Sequence, residues 1–290
     1  MRKNSIFIIF GILVGFNILA WTAVYEASQP QLLEVNFFDV GQGDAIFIET
    51  PQGHQILIDG GPDKTVLEKL GREILFYDRT IDLIILTHPH SDHLKGLINI
   101  LERYQVENIL WTGVDYDSQL YQEWQRMIEE EGAKIYIAQA GQRIISSKVI
   151  LEVLHPFESF EGKEVEDIDD TSINTKLIFG EKSFLFTGDA SQEIELDLTE
   201  EFQGRLKSNV LKVGHHGSRT ATAQEFVGEV FPEIAVISVG RDNSYGHPHQ
   251  EVLDILEKYD ITVLRTDRDG DIKIISDGKN LKLQYEISSI

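Results

Sequence analysis

Residues Thr87 to His93 read Thr-His-Pro-His-Ser-Asp-His, so three of the nine histidines and one aspartate share a single turn. Imidazole nitrogens and carboxylate oxygens are the donors that zinc and similar first-row ions prefer. The turn follows the apolar run Ile81 to Leu86, and a loop leaving a strand can aim such side chains at one point. His88 and His90, two apart, suit one position, while Asp92 and His93 suit a second. The bland reading is a surface loop that caps the next helix through Ser91 or Asp92. The density of ligand-type residues favours a metal site.

Other strand ends carry matching chemistry. Asp39-Val-Gly-Gln-Gly-Asp44 and Leu57-Ile-Asp-Gly-Gly61 place carboxylates among glycines that permit tight turns, and Asp39, Asp44 and Asp59 are suited to orient histidines by accepting their second N–H. Asp189 ends the apolar run Phe184 to Thr187, where it could cap a helix or bridge two metals. Lys212-Val-Gly-His-His-Gly-Ser218 and Asn243-Ser-Tyr-Gly-His-Pro-His249 repeat the pattern. His54 and His155 have no partner pattern and read as structural.

These clusters need a scaffold of strands with loops at one end. Strand-like runs are expected at Leu33 to Phe38, Ala45 to Glu49 and Gln55 to Ile58, and then helical stretches alternate with buried strands. The helices are Thr65 to Phe76, His93 to Tyr104 and Ser118 to Glu131; the strands are Leu83 to Leu86, Asn108 to Trp111 and Lys134 to Ile137. A second round opens near Val149 and runs through Ile173 to Phe179, Ser183 to Thr187, the helix Gln192 to Phe202, and Asn209 to Val213. It closes with Ile234 to Val239, the helix Gln250 to Lys258, and strands at Thr262 to Arg265, Ile272 to Ser276 and Leu281 to Tyr285. Two similar halves predict a four-layer α/β/β/α sandwich. No Pro-, Gly- or Ser-rich linker divides residues 30–290, so they are read as one domain.

Residues 1–29 read as an anchor and linker. Met1-Arg2-Lys3 precedes Ile6 to Val24, nineteen residues without a charge, about the length that crosses a bilayer core as helix. The segment lacks a good small-x-small cleavage site, and the positive-inside rule places the bulk of the chain outside the cytoplasm. The expected location is the cell membrane, single-pass. With no cysteine, disulfides and thiolate ligands are excluded. The net charge of −22 opposes polyanion binding through a basic surface, although Glu158 to Asp170 concentrates seven acids in one expected solvated loop, and bound cations reverse the local sign.

The turn His88, His90, Asp92, His93 matches the HxHxDH hallmark of the metallo-β-lactamase superfamily. The order of all the clusters, over about residues 33 to 276, resembles the hydrolase domain of ComEC-type competence proteins. The resemblance implies that His88 and His90 bind one metal, Asp92 and His93 the other, that Asp189 bridges, and that His215 is the late histidine; spacing leaves His216 and His247 open for that place. A further histidine usual in the superfamily is missing, and the corresponding region reads Asp169-Asp-Thr-Ser-Ile-Asn174. Oxygen donors from Asp169 or Asp170 would move preference from zinc towards manganese.

The function so implied is hydrolysis of a phosphodiester, in nucleic acid outside the cytoplasm, by two divalent ions, Zn or Mn. Asp92 would orient the water; His216 and His247 would contact phosphate or protonate the leaving oxygen, with Ser218, Arg219 and Asn243 as nearby donors. One span does not make a channel, so a separate channel protein is an expected partner. Two other readings stand beside this one. One is a metallo-hydrolase of a small ester, lactone or cell-envelope phosphoester; the other is a non-catalytic, metal-stabilised binding module.

Overall fold

The computed structural model describes residues 2–28 and 32–285 and divides the chain into two compact units, Met1–Gln31 and Leu32–Ile290. The first unit contains helix α1 (Arg2–Ser28), on which Phe7, Phe10, Phe16 and Trp21 are exposed. Among the described residues no helix is long and apolar enough to cross a membrane.

The second unit contains two sheets flanked by helices. Strands β1 (Leu33–Phe37), β2 (Ile46–Glu49) and β3 (Gln55–Ile58) form an antiparallel meander. Helix α2 (Thr65–Glu73) then leads to β4 (Thr80–Ile85), α3 (Ser91–Leu101), β5 (Gln105–Trp111), α4 (Gln119–Glu131) and β6 (Lys134–Ile137), with β3 to β6 parallel. The second half contains β7 (Arg143–Ser146), β8 (Val149–His155), β9 (Asn174–Phe179), β10 (Lys182–Phe186), α5 (Gln192–Glu201), β11 (Val210–Lys212), α6 (Gln224–Val230), β12 (Ile234–Ile237), α7 (Gln250–Lys258) and β13 (Thr262–Arg265). A short α8 (Thr266–Asp269) precedes β14 (Ile272–Ser276) and β15 (Leu281–Tyr285). The first sheet runs β15-β14-β1-β2-β3-β4-β5-β6 and the second β13-β12-β11-β10-β9-β8-β7. The chain's last two strands therefore return to the first sheet, where β14 pairs with β1.

Side-chain alternation along the strands makes the layers. Ile56 and Ile58 of β3 and Phe184 and Phe186 of β10 meet between the sheets, in one cluster with Phe37 and Val236. Leu57 faces the other way, towards Leu70, Leu97 and Trp124 of the helices over the first sheet. Leu185 and Leu211 face Leu198 and Phe226 over the second. The sandwich is thus held by three apolar interfaces, and the expected α/β/β/α order of the folded unit is present.

Strand β7 and helix α6 were not expected from the sequence. Four residues of half-exposed edge strand and a seven-residue helix carry too little periodicity to announce themselves. The acidic stretch Glu158 to Asp170 is only partly a solvated loop, because a 3₁₀ turn at Asp169–Thr171 carries its end inward.

Candidate metal centre

The site forms where β1, β3, β4, β10, β11 and β12 all end on the same side of the sandwich. The Asp39–Asp44 loop follows β1, Asp59 follows β3, the histidine turn follows β4, Asp189 follows β10, and His215 and His216 follow β11. Close backbone approaches hold these loops together. A Cβ on Gly96 would overlap the Gly60 carbonyl oxygen, and one on Gly43 would overlap that of Asp92, so α3 seats directly on both glycine turns.

The histidine turn and α3 place four donors. His90 ends the loop in extended conformation and its carbonyl accepts the N–H groups of His93 and Leu94, which starts the helix. Leu94, Leu97 and Ile100 bury the opposite face against the first sheet and fix the rotation of the helix. Asp92 lies in its first turn, where the helix dipole favours an anion.

The donors gather into two adjoining groups. In the first, Asp169 Oδ1 lies 3.4 Å from His88 Nε2 and 2.9 Å from His90 Nδ1. In the second, His216 Nε2 lies 3.3 Å from Asp92 Oδ2, and Asp189 Oδ2 lies 3.3 Å from His93 Nε2 and 3.4 Å from His216 Nε2. Asp189 also reaches His88 at 4.0 Å, so it stands between the groups. Each of the trios His88-His90-Asp169, Asp92-His93-His216 and His88-His93-Asp189 keeps its donor atoms within 4.8 Å of one another. His93 Nε2, His216 Nε2, Asp169 Oδ1 and Asp189 Oδ1 are buried without a hydrogen-bond partner. Unpaired buried polar atoms are costly, and four of them converging on two points fit a pair of cations.

The histidine turn, Asp92 and Asp189 therefore come together as the sequence implied. The late histidine does not: geometry puts His216, expected as a catalytic residue, inside the second group, whereas His215, expected as a ligand, is peripheral. His215 Nε2 is 3.9 Å from Asp189 and its Nδ1 is 3.6 Å from Asp169 and 3.1 Å from Thr220 Oγ1, but it belongs to none of the donor trios. Both residues adopt left-handed backbone, at φ 48° and 53°, which turns adjacent rings to different sides at a cost of about 1–3 kcal/mol each. His247 lies further out, its ring 5.8 Å from that of His215, lining a cavity of about 360 Å³. Of Asp169 and Asp170, it is Asp169 whose carboxylate lies beside His88 and His90.

A second layer orients the imidazoles. Asp59 Oδ2 accepts from His93 Nδ1 at 2.8 Å and from the Thr87 hydroxyl at 2.7 Å; Thr87 Oγ1 is 3.1 Å from His88 Nδ1. Ser172 Oγ accepts the Asp189 N–H at 3.0 Å, and the Ser172 carbonyl accepts from His155 Nδ1, so His155 is structural as expected. His216 Nδ1 donates to the Ser238 carbonyl at 2.9 Å and sits 3.4 Å from Asp44. Asp44 itself pairs with the fully buried Lys212 at 2.5 Å. Asp39 has no such role: its carboxylate accepts the Gly41 N–H. Lys212, Ser172 and the cavity-lining Tyr116, Gln42 and Ser118 were missed in the sequence. Lys212 alone left a trace, as a charge inside the apolar strand Val210 to Val213 that demands a counter-ion.

The electrostatics follow from burial and pairing. Burial lowers the affinity of His93 and His216 for protons, but Asp189 beside both, Asp59 beside His93 and Asp44 and Asp92 beside His216 overcome it and hold both well above the usual histidine range. Conversely, burial pushes the carboxyls of Asp189 and Asp92 up, while the same imidazoles bring both below the usual range. His88 is driven well down by its burial, and next by His93. His247 is brought to about 4 by burial and then by His216 and His215.

The two-sheet sandwich with its donor cluster at one rim of strand ends defines the class. Residues 38–241 match the profile of the "Metallo-beta-lactamase superfamily", and the chain belongs to that family. Among curated proteins it is similar to "ComE operon protein 3" of Bacillus subtilis (strain 168), 32% identical over 261 residues, 83% of this chain and 32% of that protein. It is also similar to "Competence protein ComA" of Neisseria gonorrhoeae, 31% identical over 84% of this chain and 32% of that protein. The chain thus spans about a third of the length of these relatives. Among solved structures, the metallo-β-lactamase fold protein YhfI from Bacillus subtilis superposes with a TM-score of 0.56 at 14% identity, covering 85% of this chain and 100% of that one. That likeness concerns the fold.

Proposed function

We propose that the chain is a membrane-anchored phosphodiesterase whose substrate is nucleic acid and whose site holds two divalent cations. The observation that carries this is the pair of donor groups sharing Asp189, each with two imidazole nitrogens and carboxylate oxygens. His88, His90 and Asp169 would hold one ion; Asp92, His93 and His216 the other. Charge supports the count. Of Asp44, Asp59, Asp92, Asp169 and Asp189, Asp44 is paired with the Lys212 ammonium, and with the imidazoles neutral the other four carboxylates carry four negative charges for two dications to offset. The oxygen-rich set, with Asp169 in place of a histidine, favours Mn²⁺ over Zn²⁺.

Bound there, the cations supply Lewis acidity, lowering the pKa of water and offsetting charge on the attacked phosphoryl group. Asp92, partly exposed between the donors and the cavity, is placed to orient the attacking water by accepting its hydrogen bond. His247, with its proton affinity brought down to about 4, is neutral near pH 7, so it serves as a hydrogen-bond donor to a phosphate oxygen more than as a proton source. Gln42, Ser118 and Tyr116 line the same cavity and offer further donors.

The likeness to competence proteins supports a nucleic-acid substrate, and the uncharged run Ile6 to Val24 supports a single-pass anchor with the folded unit outside the cytoplasm, working beside a separate channel protein. Incubation of the purified chain with single- and double-stranded DNA and added Mn²⁺ or Zn²⁺ tests the reading; no cleavage of either would remove it. The −22 net charge favours a second reading, a small ester, lactone or cell-envelope phosphoester, which a panel of chromogenic esters and phosphodiesters separates.

A further inference from the structure

We infer that the exposed tip Leu75-Phe76-Tyr77 is a second membrane contact, which enters the lipid interface. The inference rests on the anchor reading of α1. The three side chains are 63%, 85% and 69% exposed, and Phe76 and Tyr77 pack edge to face on one another at 5.3 Å. No other run of three consecutive large apolar residues is exposed among the described residues of the folded unit. The tip is presented and not folded back, because both its flanks are tied down. Ile74 is buried, and Asp78 accepts the Thr80 N–H at 3.0 Å and the Gln55 side-chain N–H at 2.8 Å.

Its place in the fold identifies the occupant. Lys273 Nζ bridges Glu34, near the start of β1, and Glu73, the last residue of α2, at 3.0 and 2.6 Å. The tip therefore projects from the rim where β1 begins. Leu33 is five residues beyond Ser28, the end of α1, and five residues span at most about 18 Å. On the anchor reading, chain connectivity alone keeps the start of β1 within that reach of the bilayer. An amphipathic phenol beside a phenyl and a leucyl side chain suits the headgroup boundary. With a net charge of −22, attraction to anionic headgroups does not drive the contact, so apolar insertion does. The metal centre lies at the other end of the same strands, beyond the six residues of β4, about 20 Å of strand. Its cavity accordingly opens to water, and substrate arrives from solution.

The chain has no cysteine, so single labels are specific. Full-length protein in phosphatidylcholine nanodiscs would carry a nitroxide at Phe16→Cys, Phe76→Cys or Asp242→Cys, and collisions with oxygen would be compared with those of a water-soluble nickel chelate. The expected result is a shift towards oxygen at Phe16 and Phe76 and towards nickel at Asp242. A lipid-like Phe16 with a water-like Phe76 overturns the second contact and leaves the anchor standing, whereas a water-like Phe16 overturns the anchor and this inference with it. A Phe76 label shielded from both reagents marks a protein contact instead, and a lipid-like Asp242 overturns the orientation.

Discussion

Asp59 controls two imidazoles with one oxygen. It accepts the His93 Nδ1 proton directly and the Thr87 hydroxyl, which in turn faces His88 Nδ1, so Nε2 of both rings is left to point at the donor cluster. Asp59→Ala is expected to weaken metal binding about 10–100-fold with the fold retained, measured by competition with a chelating dye. His216→Ala should remove one of two ions, whereas His215→Ala should keep both, by elemental analysis; equal losses would return His215 to the site. The raised proton affinity of His93 and His216 gives a pH dependence of definite sign. In the metal-free protein both rings hold protons above the usual histidine range, and binding must expel them. Affinity should therefore rise with pH until the rings are neutral, with proton release seen by calorimetry in buffers of different ionisation enthalpy. This layer is also where the sequence is hardest to read. The histidine turn is legible because its donors are neighbours in the chain, but His215 and His216 are separated only by the direction in which a left-handed backbone turns them.

Helix α5 carries a charged side chain into the core behind the His215–His216 loop. Glu195, 1% exposed, accepts the Ala223 N–H at 2.6 Å and lies against Gly214. Burial raises its carboxyl to about 8 despite the backbone N–H groups of Ala223 and Thr222 that favour the anion. A carboxyl raised on folding adds stability that is whole below the unfolded value near 4.5 and is lost as pH rises through about 8. Each tenfold of proton affinity is worth about 1.4 kcal/mol. Glu195→Gln, which keeps an acceptor and cannot ionise, should flatten the decline of unfolding free energy between pH 5 and 8 by roughly a few kcal/mol. An unchanged pH profile would show the carboxyl to be ionised in place. At this scale the sequence was more informative: strands such as Phe184 to Thr187 alternate or run apolar and end in acids and histidines, which tells where a site can form. Short edge elements such as Arg143–Ser146 lack that contrast, and the inward turn at Asp169 is set by contacts distant in the chain, including the Ile173 N–H donated to the Thr87 carbonyl.

The whole molecule is strongly acidic, and only the metal centre turns that charge to use. A basic nuclease loses affinity for DNA as salt is added. Here repulsion is screened instead, so KM for DNA should fall as ionic strength rises from low values, while a small phosphodiester should show little change. A steep loss of DNA binding with salt would contradict this and point to binding through a basic surface. The four-layer sandwich brings six strand ends to one side, and the proposed hydrolysis requires those ends to enclose a pair of cations. Anomalous diffraction from crystals of the full chain grown with Mn²⁺ tests that most directly. It should show two ions about 3.5–4 Å apart, one among His88, His90 and Asp169, the other among Asp92, His93 and His216, with Asp189 between them. A single ion, or ions bound away from Asp189, would contradict it.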